Sequence, residues 1–250
     1  MLRFIVFILF LFLPCTLFLG GKSSDSTLDS AERAAVSDVE AYASLYRSMQ
    51  LEGVVNWKAF RQAVAGYYKI DNRKREVLTL IDFSRPSTAK RLFVFDMREC
   101  KVLFSSVVSH GKNSGDNYAT SFSNEYGSYK SSLGFYLTES TYQGKNGYSL
   151  ILNGLEKGIN DRAKERAIVV HGANYCSPSV AVSTGRLGRS FGCPALPPSL
   201  AKPIINTIKD GTLLYIYAND KEYLSQSTIL STGRSISPNS IIALNSLIRE

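Results

Sequence analysis

The chain has 250 residues and a formal net charge of +8, with 44% of it apolar and 20% charged. That is enough apolar chain for one sizeable core with an appendage, and it excludes global disorder. A basic protein suits an anionic polymer, lipid headgroups or nucleic acid alike. No zinc-type cysteine pair, basic–aromatic run or RNA-binding signature accompanies the charge, so nucleic acid is not expected as a partner.

Arg3 is the only charge in the first twenty residues, and 4–13 is unbroken hydrophobe. Pro14, Cys15 and Thr16 interrupt the run before Leu17-Phe18-Leu19 and Gly20-Gly21. A basic start, an apolar run and small residues read as a secretory signal over 1–21. The run is short for a membrane span, and an uncleaved membrane anchor through 1–20 is the alternative. Both predict export, to the periplasm or cell envelope. Of the four cysteines, Cys100, Cys176 and Cys193 lie beyond this leader. An odd number leaves at least one thiol over in an oxidising compartment. A Cys100–Cys176 bridge is open, since sequence cannot set their separation.

Residues 22–36 are polar and read as a linker, opening with a Ser-rich run at 22–30, and 37–76 as a helical extension. Ser37 and Glu40 have capping-box spacing, and Val39, Tyr42, Tyr46 and Met49 follow at helical intervals. After Gly53, Asn56 caps a second helix with Trp57, Phe60, Val64 and Tyr67 on one face. Both stripes read as packing surface. From 77 the period changes. Strands are predicted at 77–83, 134–138, 148–153, 167–171 and 212–218, with a hairpin of 91–96 and 101–108. Two segments rich in Gly and Ser, 111–132 and 172–192, are long irregular stretches of the kind that carry function. A short helix is predicted at 199–209. The tail 221–250 is expected to hold a helix opened by Ser237-Pro238 and continued through Ile241, Leu244 and Ile248. The fold class is therefore mainly β, with 77–220 as the principal domain.

The chain has two histidines, His110 and His171, each followed by glycine. His171 ends the apolar strand Ala167-Ile168-Val169-Val170, and Cys193 follows within Arg189-Ser190-Phe191-Gly192-Cys193-Pro194-Ala195. A free thiol is mostly protonated at neutral pH, and an imidazole can take its proton and later return it to a leaving amine. Gly192 admits close approach of a substrate, Pro194 stiffens the exit from the turn, and the Cys193 N–H, with that of Gly192, is a natural oxyanion donor. Spacing alone favours a buried thiol and a hydrogen-bonded histidine over a catalytic pair.

The wording of the segment adds more. His171-Gly172-Ala173, followed by Gly185-Arg186-Leu187-Gly188-Arg189-Ser190-Phe191-Gly192-Cys193-Pro194-Ala195, resembles the murein L,D-transpeptidases, in the branch where Gly-Arg-Ser-x-Gly-Cys-Pro-Ala replaces Ser-His-Gly-Cys-x-Arg. Ser109-His110-Gly111-Lys112, Phe122-Ser123-Asn124, 127–134 and Asn160-Asp161-Arg162-Ala163 extend the likeness over roughly 77–220. The resemblance implies a sandwich or bent mixed sheet. It implies that Cys193 attacks an L,D peptide bond of a peptidoglycan stem peptide and forms an acyl-thioester. His171 would be the base, its ring oriented by a backbone carbonyl such as that of Gly172. Transfer to an amine would give a crosslink, and transfer to water would make a carboxypeptidase. No metal or organic cofactor is implied, and the oligomeric state is left open. The commoner pattern has His at Phe191 and Arg at Ala195, which also admits an inactive wall-binding module. Arg186 and Arg189 are the nearest replacements for that Arg, through bidentate contact with a stem carboxylate. Ser190, His110, Tyr175 and Asn174 complete the expected substrate contacts, although turn or loop packing explains each of them as well.

Overall fold

The structure is a computed structural model describing residues 25–231, with side chains from Ser37 onward. The leader and the helix expected after Ser237 lie outside the described residues. Helix α1 runs Asp25–Ser48. The segment read as a linker is thus helical from Asp25, and Ser37 and Glu40 sit in mid-helix instead of capping it. Tyr42, Leu45 and Met49 are buried, while Val39 faces outward. Helix α2 spans Trp57–Lys69 and is capped as expected: Asn56 Oδ1 accepts from the N–H groups of Lys58 (2.9 Å) and Ala59 (3.4 Å). Its Phe60, Val64 and Tyr67 are buried.

Eight strands form one mixed sheet: β1 (Val77–Asp82), β2 (Leu92–Asp96), β3 (Lys101–Ser106), β4 (Gly134–Gly144), β5 (Gly147–Gly154), β6 (Val169–Gly172), β7 (Ala195–Leu196) and β8 (Leu213–Tyr217), in the order β3-β2-β1-β8-β4-β5-β6-β7. β1 pairs antiparallel with β2 and parallel with β8, and β6 pairs parallel with β7. The β2–β3 hairpin forms where expected. Asp96 Oδ1 accepts from the N–H groups of Arg98 and Glu99, which closes the turn before Cys100. β4 runs beyond its expected end because it forms a long hairpin with β5, bulged between Thr138 and Thr141. Beyond β3, Ser109 bridges to Ala195 of β7. The sheet thereby curls back until its two ends nearly meet, and the two long loops are brought to the seam.

Helix α3 (Pro178–Thr184) lies within the second loop and buries nothing. Helix α4 (Pro198–Ile208) packs Ile204, Ile205 and Ile208 inward. It approaches β6 so closely that a methyl group on Gly172 would stand 3.0 Å from Ala201 Cβ. Helices α5 (Lys221–Gln226) and α6 (Thr228–Ser231) are tied to the sheet through the buried Glu156, which accepts from Phe135 N–H (2.8 Å) and from the hydroxyls of Tyr223 and Ser227. No helix among the described residues is long and apolar enough to cross a membrane.

The seat of α2 on the sheet is steric. A methyl group on Gly66 runs into the Phe135 ring, which is itself stacked on Tyr215. Helix propensity favours alanine over glycine by about 1 kcal/mol, but overpacking costs about 1–3 kcal/mol. Gly66→Ala is expected to lower the melting temperature by several degrees in a thermal scan, although it improves the helix.

Candidate functional site

His171 stands where an apolar strand reaches the seam. It pairs with Ser149 of β5 and Ala195 of β7, so its backbone is fixed on both sides. Its Nδ1 lies 3.0 Å from the Gly172 carbonyl. A carbonyl only accepts, so Nδ1 carries the proton and Nε2 presents its lone pair. Burial holds the ring's pKa below its ordinary value against the pull of that carbonyl. The imidazole is therefore neutral at neutral pH and oriented as the resemblance implied.

Cys193 ends a turn built from its own neighbours. Ser190 Oγ donates to the Cys193 carbonyl (2.6 Å) and accepts from Gly192 N–H (3.1 Å). The Ser190 backbone pairs with His110 O and Lys112 N. Gly192 has φ +126°, and a methyl group there would lie 2.8 Å from Lys130 O and 2.9 Å from Ile168 Cδ1. Ser131 Oγ donates to Gly192 O (2.9 Å) and accepts from Gly111 N–H (3.0 Å), joining the two long loops. The Gly192 N–H is thus already spent. No turn or loop hydrogen bond among the described residues uses the Cys193 N–H.

The thiol is buried. It donates to Ala167 O (3.6 Å) and accepts from Val169 N–H (3.5 Å). Ala167, expected in the strand, instead turns into it with φ +53°. His171 pairs with Ala195, and continuing this register back two residues brings Cys193 level with Val169. The sulfur thus sits against Val169, two residues before His171 on β6, and no hydrogen bond joins it to the imidazole among the described residues. Burial pushes the thiol pKa up, while Val169 N–H and the charge of Arg166 pull it back.

The other expected residues divide into two groups. Asn174 and Tyr175 line a cleft of about 540 Å³ together with His171, Tyr148, Lys145 and Lys202. Cys193 does not reach its wall. Arg189, Arg186, Ser190 and His110 hold the scaffold instead. Arg189 donates to Lys112 O, Gly115 O and Asp116 Oδ1 (2.9 Å). Arg186 donates to Leu187 O and lies 4.0 Å from the same Asp116. A carboxylate in the neighbouring loop has claimed both guanidinium groups. The fully buried Arg91 donates to His110 Nδ1 (2.8 Å), and His110 Nε2 donates to Gly115 O (3.2 Å). Burial and this cation push the His110 pKa down to about 4. Cys100, Cys176 and Cys193 are all free, and Cys176 Sγ donates to Ala195 O (3.0 Å). Sequence reasoning missed Arg166 and Ser131. Both carry ordinary loop-residue types, and only the folded chain brings them to Gly192.

A family profile described as L,D-transpeptidase catalytic domain matches residues 51–217, more than half of the chain, and the chain belongs to that family. A search of curated proteins finds no match. Among solved structures the chain is similar to an L,D-transpeptidase from Mycobacterium smegmatis (16% identity, 57% of this chain and 59% of that one, TM-score 0.36). It is also similar to L,D-transpeptidase 1 of Mycobacterium tuberculosis (14%, 57% and 62%, 0.33). A third is the helical cell shape determining protein of Campylobacter jejuni (14%, 64% and 56%, 0.38). The chain spans about three-fifths of the length of these structures.

Two expectations follow. Gly192→Ala combines a forbidden φ with a collision against backbone, at a cost of about 3 kcal/mol or more. Thermal melting and alkylation of Cys193 should both report a disordered turn. The second concerns pH. The folded chain keeps His110 neutral down to about pH 4, whereas the unfolded chain protonates it near its ordinary value of about 6.5. This contribution is complete above the ordinary value and is lost as pH falls towards 4, up to about 3 kcal/mol. Denaturant midpoints measured across that window should fall with acid in the wild type and fall less steeply in His110→Gln.

Proposed function

We propose that this chain is a cysteine-dependent L,D-transpeptidase acting on peptidoglycan stem peptides through an acyl-thioester. The observation that carries the reading is the junction of β6 and β7: a neutral, oriented imidazole stands on β6, and a free thiol accepts from the N–H of Val169, two residues before it on the same strand. Cys193 is the nucleophile and His171 the general base. The reaction requires the sulfur to leave Ala167 and Val169 and rotate towards Nε2; such contacts are often loose in an empty site.

The thiol proton passes to His171 Nε2 as sulfur attacks the carbonyl of the L-centre. The oxyanion develops against the Cys193 N–H. Collapse breaks the C–N bond, and His171 returns the proton to the departing D-amino acid. An amine of a neighbouring stem then attacks the thioester, gives its proton to Nε2 and releases the thiolate, which recovers that proton. Water in place of the amine would make a carboxypeptidase. Asn174 and Tyr175 contact the stem in the cleft, beside Lys145 and Lys202. Family membership supports a cell-envelope location, with 1–21 as the export signal or anchor.

Incubation with tetrapeptide muropeptides and mass analysis of the products tests the reading. Crosslinked dimers are expected, and tripeptide monomers alone would move the assignment to hydrolysis. Cys193→Ala should abolish turnover with little change in melting temperature. His171→Gln should lower it by at least about a hundredfold. Turnover that survives Cys193→Ala would refute the thioester route.

A further inference from the structure

Arg166 stands at the turn that carries Cys193, and among the described residues no ion pair engages it. Its guanidinium donates to Ser123 O (2.7 Å), Ser132 Oγ (2.6 Å), Ser128 Oγ (3.2 Å) and Lys130 O (2.6 Å). All four acceptors are neutral, and no carboxylate lies within ion-pair distance among the described residues. Neighbouring Glu165 is taken by Arg162 at 2.8 Å. The guanidinium lies against the turn that carries the thiol: a methyl group built on Gly192 would stand 3.5 Å from Nη2. Two acids act on its charge, the Tyr136 phenol and the Cys193 thiol. Burial drives the phenol far above its ordinary range, so it stays neutral at any working pH.

A half-buried guanidinium cannot shed its proton, and a desolvated cation without an anion is costly. The fold retains that cost in the loop beneath the thiol. We propose that Arg166 is the counter-ion of the Cys193 thiolate, a positioning residue that fixes positive charge under the Gly192–Cys193 turn through four neutral hydrogen bonds. The charge is unbalanced while the thiol is protonated and becomes half of an ion pair as negative charge develops on sulfur, in the attack and again when the thioester releases the thiolate. Without it, only backbone N–H groups, Val169 foremost, would oppose the burial that disfavours ionisation of the thiol. This inference rests on Cys193 being the nucleophile.

The test is the pH profile of Cys193 alkylation by iodoacetamide on the full chain, read on the Cys193 peptide by mass spectrometry so that Cys100 and Cys176 do not contribute. Arg166→Gln is expected to move the profile upward by about one unit, slowing alkylation about tenfold at neutral pH. Arg166→Lys keeps the charge while losing the forked hydrogen bonds, and should retain most of the wild-type profile. An unmoved profile in Arg166→Gln overturns the proposal, as does a Lys variant shifted as far as the Gln variant, since loop geometry would then set the thiol. If Arg166→Gln does not fold, Arg166→Lys decides alone: a retained profile supports the role and an upward shift overturns it. Wild-type Cys193 that is inert while turnover persists sinks the nucleophile assignment itself. A reactive wild type with an unmoved Gln variant sinks only the role of Arg166.

Discussion

Everything at the seam depends on the crowding of backbone around Gly192. The Lys130 carbonyl, the Ile168 side chain and the Arg166 guanidinium all stand where a side chain would go. Three segments distant in sequence therefore meet at one α-carbon: the loop after β3, the turn before β6 and the turn before β7. Ser131 adds direction to this contact by accepting from Gly111 and donating to Gly192. With the Ser109–Ala195 bridge, these bonds close the curled sheet and hold the thiol in register with β6. A residue with a Cβ at this point would push the loops apart before it altered any chemistry.

The electrostatics follow from that closure. Burying a thiol and an imidazole together favours the neutral form of both. For the imidazole this is useful, because a base must hold its lone pair free, and the Gly172 carbonyl selects the tautomer that leaves Nε2 available. For the thiol it works against ionisation, and the donors around it act in the opposite sense: Val169 N–H and the charge of Arg166. The same low-polarity scaffold has different consequences at His110. There Arg91 occupies one ring nitrogen and the Gly115 carbonyl the other, which leaves nothing for a substrate.

Much of this was legible in the sequence, for identifiable reasons. Strands β1, β2, β5 and β8 carry enough β-branched and aromatic residues to declare themselves, and Asn56 capped α2 by the chemistry of its side chain. His171 at a strand end and Cys193 after glycine stood out because their neighbours were apolar or conformationally special. β7 did not stand out, because two residues carry no period. The first turns of α1 did not, because a polar Ser-rich segment reads as linker when helix propensity is weak. The surroundings of Arg186 and Arg189 were hidden for a deeper reason: sequence gives a guanidinium's charge but not the carboxylate beside it, and Asp116 lies some seventy residues away. Arg166 was hidden by the converse. Its importance comes from standing outside every ion pair among the described residues, the neighbouring Glu165 being taken by Arg162, and that is visible only when the chain is folded.

The resting position of the sulfur is then a consequence of the scaffold. A buried thiol seeks partners, and it finds them in Ala167 O and Val169 N–H, one of them turned inward by a residue with positive φ. Both bonds are long and weak for sulfur, so little holds the thiol there. On the proposed function, a stem peptide in the cleft beside His171 would exclude water and bring an electrophilic carbon to the seam, which favours rotation towards the imidazole. The ladder fixes the two backbones, and one side-chain torsion remains free to couple substrate arrival to assembly of the pair. That division of labour accounts for a rigid β6–β7 junction supporting a thiol that rests away from the imidazole.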